Sequence, residues 1–230
     1  MRIGVIIFPG SNCDHDMIYL LREIMEQDVV ELWHKEKDLK GTNAIILPGG
    51  FSYGDYLRSG AIARYSPIME SVIKFAKEGG FVFGVCNGFQ ILCEAGLLPG
   101  ALLHNSNQKF ICKNIYISVT NHKTALTNQT DGYKVLKIPI SHGEGRYFAD
   151  DKTIRMMNEN EQVLFRYCDE NGKVCQAINP NGSVENIAGI CNTAKNVFGM
   201  MPHPERAADD ELGNTDGQVI FESILKWFSI

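Results

Sequence analysis

Short runs of Val, Ile and Phe alternate with stretches of helical spacing through the first hundred residues, which predicts β-α-β units and a mostly parallel sheet. Residues 3–8 read as the first strand. Residues 14–26 read as a helix, with Asp14 or Asp16 near its start and Ile18, Leu21 and Met25 recurring on one face. Residues 29–33 and Ala44–Leu47 read as the next two strands, the latter ended by the breaker Pro48-Gly49-Gly50. The following helix has the clearest signature: Ser66 as N-cap, Pro67 at the first helical position, a stripe of Ile68, Val72, Phe75 and Ala76, and Gly79 as the stop. Phe81–Val85 is a continuous apolar run of the kind buried on both sheet faces. It passes without a linker through Cys86-Asn87-Gly88 into a short helix ending near Gly96.

Beyond Gly100 the texture becomes richer in strands, at 115–119, 134–140, Val163–Cys168 and 197–201, without long helices between them. Asn171-Gly172 is a type I′ hairpin signal that would set Cys168 opposite Cys175. A bridge there is geometrically open, but a reducing compartment disfavours it. A helix over 216–228, with Ile220, Ile224, Trp227 and Phe228 on one side, closes the chain. No repeat, low-complexity segment or linker divides it, so residues 1–230 read as one α/β domain.

The composition narrows the partners. Lys and Arg number 22 and Asp and Glu 27, a net charge of −5, with no basic run to neutralise phosphates, so no nucleic acid is expected. No apolar stretch approaches the roughly 20 residues of a membrane span, and the N-terminus lacks the features of a signal peptide; a cytoplasmic protein is expected. The seven cysteines include no Cys-x-x-Cys pair and the six histidines lack metal-ligand spacing, so no metal site is expected. Phosphate-binding and dinucleotide-binding glycine motifs are absent as well, which leaves no cofactor expected in this chain.

The candidate chemistry lies at Gly84-Val85-Cys86-Asn87-Gly88. A nucleophile between small residues, where a buried strand turns into a helix, is the cysteine form of a nucleophile elbow. The helix N-terminus presents unpaired N–H groups to an anionic sulfur. A structural core cysteine would account for this pentapeptide alone. Pro202-His203-Pro204-Glu205-Arg206 changes the balance, because the prolines favour extended chain, in which His203 and Glu205 face the same side. Cys86, His203 and Glu205 then form nucleophile, base and orienting acid. A proline-rich surface turn is the plain alternative. Gly50, after a strand neighbouring that of the nucleophile, and Asn87 are the candidate backbone donors of an oxyanion hole.

These segments carry a resemblance to class I, triad-type glutamine amidotransferases, and more narrowly to the glutaminase subunits of phosphoribosylformylglycinamidine synthases. Besides the two motifs above it rests on Phe8-Pro9-Gly10-Ser11-Asn12-Cys13-Asp14 and Pro48-Gly49-Gly50-Phe51-Ser52-Tyr53-Gly54-Asp55-Tyr56-Leu57-Arg58. Further on it includes His142-Gly143-Glu144-Gly145-Arg146-Tyr147 and Asn179-Pro180-Asn181-Gly182-Ser183. The resemblance implies a flavodoxin-like, mostly parallel central sheet flanked by helices, with a β-richer C-terminal half. It implies that Cys86, His203 and Glu205 are the triad, Gly50 and Asn87 the oxyanion hole, and Gln90, His142, Gly143 and Glu144 the holders of substrate glutamine. It also implies two partners: an ATP-dependent synthetase subunit, which uses ATP and Mg²⁺, and a small third subunit.

Two readings from other classes compete. One is a hydrolase or redox sensor of the related cysteine-elbow families. In many of those a histidine follows the nucleophile, where this chain has Asn87. The other is a catalytically silent binding module, against which an intact triad argues.

Overall fold

The computed structural model describes residues 1–229. In chain order its strands are β1 (Arg2–Ile7), β2 (Asp28–Trp33), β3 (Ala44–Leu47), β4 (Phe81–Val85), β5 (Ala101–Leu103), β6 (Ile111–Val119), β7 (Leu136–His142), β8 (Arg146–Phe148), β9 (Val163–Cys168), β10 (Ile187–Cys191) and β11 (Val197–Met200). The α-helices are α1 (Asp14–Tyr19), α2 (Pro67–Lys77), α3 (Asn87–Glu94), α4 (Asp151–Glu159) and α5 (Gln218–Phe228). Nine strands form one sheet in the order β2-β1-β3-β4-β11-β10-β9-β6-β7, and β5 pairs with β8 apart from it.

The sheet changes character at β11. From β2 to β11 every pairing is parallel, and from β11 to β7 every pairing is antiparallel. The parallel part is a doubly wound α/β sheet, whose ligands bind beyond the carboxyl ends of its strands. All residues of β3 and β4 are buried, as expected of strands covered on both faces. Helix α1 packs on β1, and α2 and α3 pack on β4. No helix among the described residues is long and apolar enough to cross a membrane.

Several expectations need correction. The first helix ends as α-helix at Tyr19 and continues as a π-turn over Leu20–Ile24, whose wider winding leaves the adjacent Leu20 and Leu21 both buried. Ser66 holds the N-cap position of α2, but its hydroxyl pairs with the Tyr53 hydroxyl at 2.8 Å instead of capping the helix. Helix α4 was not expected, because only Ile154 and Met157 face inward; its N-terminus is set by Asp150, which accepts the Thr153 N–H at 2.7 Å. Asn171-Gly172 makes no type I′ hairpin: Gly172 has positive φ but Asn171 does not, and no strand follows β9 there. The Asp169 carboxylate accepts the Asn171 and Lys173 N–H groups and shapes that turn, and Cys168 and Cys175 are both free thiols. In α5, Ile220 and Ile224 are buried, whereas Trp227 and Phe228 stay exposed.

Candidate active site

Cys86 sits at the carboxyl end of β4 with φ +50° and ψ −106°, a conformation that persists only where its surroundings enforce it. Two glycines do so. A β-carbon on Gly84 would lie 2.6 Å from the carbonyl carbon of Gly88, and one on Gly88 would overlap the Leu47 carbonyl oxygen at the end of β3. The Cys86 N–H donates to the Met200 carbonyl at 2.8 Å, which ties the elbow to β11. The first helical residue, directly after Cys86, is Asn87, whose N–H has no partner within α3.

His203 arrives from the neighbouring strand. In the β4–β11 register Val85 lies opposite Met200, so the chain leaving β11 runs alongside the elbow. The His203 N–H donates to the Pro139 carbonyl of β7 at 2.8 Å. Its Nδ1 pairs with Glu205 Oε1 at 2.7 Å, and both side chains are buried. The pair comes from a 3₁₀ turn over Pro204–Arg206, not from the extended run that the prolines suggested. Burial disfavours an imidazolium here, but the Glu205 carboxylate and then Cys86 outweigh it and raise the His203 pKa well above the ordinary histidine value. Nε2 has no hydrogen-bond partner in this geometry, and the Cys86 thiol instead faces the Ser141 carbonyl at 3.7 Å.

Gly49 and Gly50 follow β3 and close the site from its other side. A β-carbon on Gly49 would lie 2.7 Å from His203 Cε1, 3.1 Å from Cys13 Sγ and 3.4 Å from Cys86 Cβ. Gly50 has φ +140° and is bridged to Ser11, so only glycine suits it. The Asn87 side chain fixes the opposite wall. Its Oδ1 accepts the Ser52 N–H at 3.1 Å, while Nδ2 donates to Asp55 Oδ1 at 3.2 Å and to Gln90 Oε1 at 2.9 Å. Gln90 Nε2 then donates to the Glu144 carbonyl at 2.6 Å, and the Glu144 carboxylate accepts the Ser59 N–H at 3.2 Å. Burial, opposed by hydrogen bonding to Ser59, pushes the Asp55 pKa up to about 6, with Glu144 adding to the rise.

The structure thus brings Cys86, His203, Glu205, Gly50 and Asn87 to one place, with Gln90 and the Glu144 backbone linked beside them. At Gly143 a β-carbon would meet Phe110 at 3.8 Å, and the Gly143 carbonyl accepts the Asn105 N–H at 2.9 Å. The His142 ring instead lies behind its loop, with Nδ1 on Asn105 Oδ1 at 3.1 Å and Gly145 packed against it. Burial, then the nearby His203, lowers its pKa to about 4. A cavity of about 60 Å³ beside the triad is lined by Cys13, Gly50, Phe51, Phe110, Ser141 and His203 among others. A larger groove of about 540 Å³ reaches Glu205 from behind, along the π-turn, and does not touch Cys86.

Sequence reasoning gave no role to Cys13, Gly49, Asp55 or Arg206, although all lie within or beside recognised motifs. Arg206 donates from Nε to Asp16 Oδ2 at 2.9 Å and from Nη2 to Cys13 Sγ at 3.1 Å. Cys13 Sγ, a His203 nitrogen and a Glu205 oxygen lie within 4.8 Å of one another, a grouping that would suit a metal ion. The Arg206 guanidinium already brings positive charge to that sulfur.

Comparison with known proteins shows which family the chain resembles. The family model of the CobB/CobQ-like glutamine amidotransferase domain matches residues 1–228. The phosphoribosylformylglycinamidine synthase subunit PurQ of Salinibacter ruber is 53% identical over 229 residues, covering 100% of this chain and 97% of the relative. The protein of the same name from Aquifex aeolicus is 52% identical, over 98% of this chain and 99% of its own. Among solved structures, PurLQS from Thermotoga maritima contains a chain that superposes with a TM-score of 0.86 at 44% identity, over 99% of this chain and 98% of that one. A glutamine amidotransferase from Thermotoga maritima, 15% identical with a TM-score of 0.54 over 98% of this chain and 90% of that one, shares the fold.

Proposed function

The chain belongs to the CobB/CobQ-like glutamine amidotransferase family, and on that premise we propose that it is the glutaminase subunit of a phosphoribosylformylglycinamidine synthase, acting as one amidotransferase domain in the cytoplasm. The observation that carries the catalytic reading is the convergence of a cysteine elbow and a buried His203–Glu205 pair at the carboxyl ends of two adjacent parallel strands.

The Cys86 thiolate attacks the side-chain amide carbon of glutamine. The Gly50 and Asn87 N–H groups hold the resulting oxyanion, and His203 donates its Nε2 proton to the departing nitrogen, so ammonia leaves and a glutamyl thioester remains. His203, now neutral, takes a proton from water, which attacks the thioester. Glutamate departs and the thiolate and imidazolium are restored. Glu205 keeps the imidazole oriented and supports its positive charge in both halves. Gln90 and the backbone at Gly143 and Glu144 support the glutamine itself.

Ammonia released into water is protonated and diluted, so it must pass directly to an acceptor site. That site belongs to the synthetase subunit, which uses ATP and Mg²⁺ to convert formylglycinamide ribonucleotide to the amidine, with a small third subunit completing the complex. Glutamate production should be weak for this chain alone and strongly stimulated by the synthetase subunit. Replacement Cys86→Ser should abolish it in both states. Undiminished glutamate release by that variant would overturn the assignment.

A further inference from the structure

We propose that Tyr56 and Leu57 are the contact through which the synthetase subunit docks over this site and activates it, with the Asp55–Asn87 hydrogen bond carrying the effect to the oxyanion hole. The proposal rests on the glutaminase reading above and adds to it a surface and a link.

The surface is apolar and unsatisfied. Leu57 is 92% exposed, the most exposed large apolar side chain among the described residues, and Tyr56 beside it is 74% exposed. The loop that carries them is held in an unusual conformation: Tyr53, Gly54, Asp55 and Leu57 all have φ between +53° and +72°. Left-handed backbone is disfavoured for residues such as Tyr and Leu, and no burial of Leu57 offsets it. Backbone of this kind gathers where a segment serves binding or switching.

The base of the loop is fastened to the catalytic helix. Asp55 accepts from Asn87, Arg58 pairs with Glu94 at the far end of α3 at 2.6 Å, and Gly60 lies so close that a β-carbon would stand 2.8 Å from the Ile91 nitrogen. At its start the loop is Gly50 and Phe51. One continuous segment therefore supplies one candidate oxyanion donor, clamps the side chain of the other, and presents the exposed tip.

The occupant follows from the reaction. The opening beside the triad is bordered by Phe51 and Phe110, whose rings stack with centroids 6.4 Å apart, and both are about half exposed. Whatever receives the ammonia must cover this opening against water, and the loop that borders it is the one with the apolar tip. The synthetase subunit would have to offer an apolar surface to Tyr56 and Leu57. Seating them would press the loop onto α3 and set the Asn87 N–H against the developing oxyanion.

The test is a titration of the full-length chain with the synthetase and third subunits, reading glutamate release. The paired substitution Tyr56→Ala with Leu57→Ala should leave glutaminase activity without partner unchanged, and raise the synthetase concentration for half-maximal stimulation by about tenfold or more, the scale of an interface anchor. Asp55→Ala should leave that concentration unchanged but lower the stimulated kcat with little change in the KM for glutamine, and Asp55→Asn should recover most of it. Thermal melting near that of the parent chain establishes that each variant is folded. A double variant that titrates like the parent would overturn the docking contact. An Asp55→Ala variant with full stimulated kcat would overturn the link. If the parent chain itself shows no Cys86-dependent stimulation, the functional reading falls and takes the proposal with it.

Discussion

Gly49 faces the imidazole of His203 so closely that a β-carbon would stand 2.7 Å from Cε1. The Gly49 backbone is thus the rest against which the His203 ring is held, and the second glycine of Pro48-Gly49-Gly50 is not the only one whose lack of a side chain matters. Gly49→Ala should push the ring away from its working position. A displacement of about 1 Å costs roughly 10²-fold in rate, so kcat should fall by at least that much, while KM for glutamine changes little. A variant retaining more than a tenth of parental kcat would show that the ring tolerates the shift.

Glu205 raises the proton affinity of His203 against the opposing effect of burial. In Glu205→Gln the ring keeps a neighbour of similar shape but loses the charge, so the imidazolium becomes easier to deprotonate. Loss of an orienting carboxylate lowers kcat by roughly 10²- to 10⁴-fold. The alkaline limb of the kcat profile should also move to lower pH. An unmoved limb would mean that Glu205 acts by shape alone.

His142 is buried with its pKa lowered to about 4, so it folds as the neutral form. For a base with a depressed folded-state pKa, the unfolded chain binds the extra proton first. The stabilisation is complete above about pH 6.5 and is lost as pH falls through about 4, on the order of 3 kcal/mol in all. Asp55, whose pKa is raised, contributes with the opposite sign as pH falls from about 6. Comparing parent and His142→Gln by urea denaturation at several pH values isolates the histidine: the difference should shrink steadily between pH 6.5 and 4.

At the elbow, Gly88 has no room for a side chain because the Leu47 carbonyl oxygen occupies the place a β-carbon would take. Gly88→Ala must separate α3 from the end of β3. Overpacking of this kind costs about 3 kcal/mol or more when the obstacle is backbone. Chemical denaturation should show a correspondingly lower midpoint, and a melt indistinguishable from the parent would refute the contact.

What could be read from the residues alone follows a physical line. Strands β3, β4 and β9 were legible to the residue because each is a short run dominated by apolar and aromatic residues, broken by one charge, Arg166, in β9. Strand β10 was not, although all five of its residues are buried, since its antiparallel pairing with β9 and β11 is decided by the tertiary structure. The candidate triad was visible because its three members lie in two short motifs with distinct chemistry. Cys13 and Arg206 were not paired on paper, because 193 residues of chain separate them and only the folded sheet closes that distance. Asp55 escaped notice for a related reason: its partner Asn87 belongs to a different strand-to-helix crossing.

Strand β11 is the last of the sheet to be synthesised, yet it inserts between β4 and β10, near the middle. A growing polypeptide on the ribosome therefore carries Cys86 long before His203, the residue proposed to act with it. On the proposed mechanism, hydrolysis would wait for β11, so an unfinished product that stops short of it could not squander the cell's nitrogen donor.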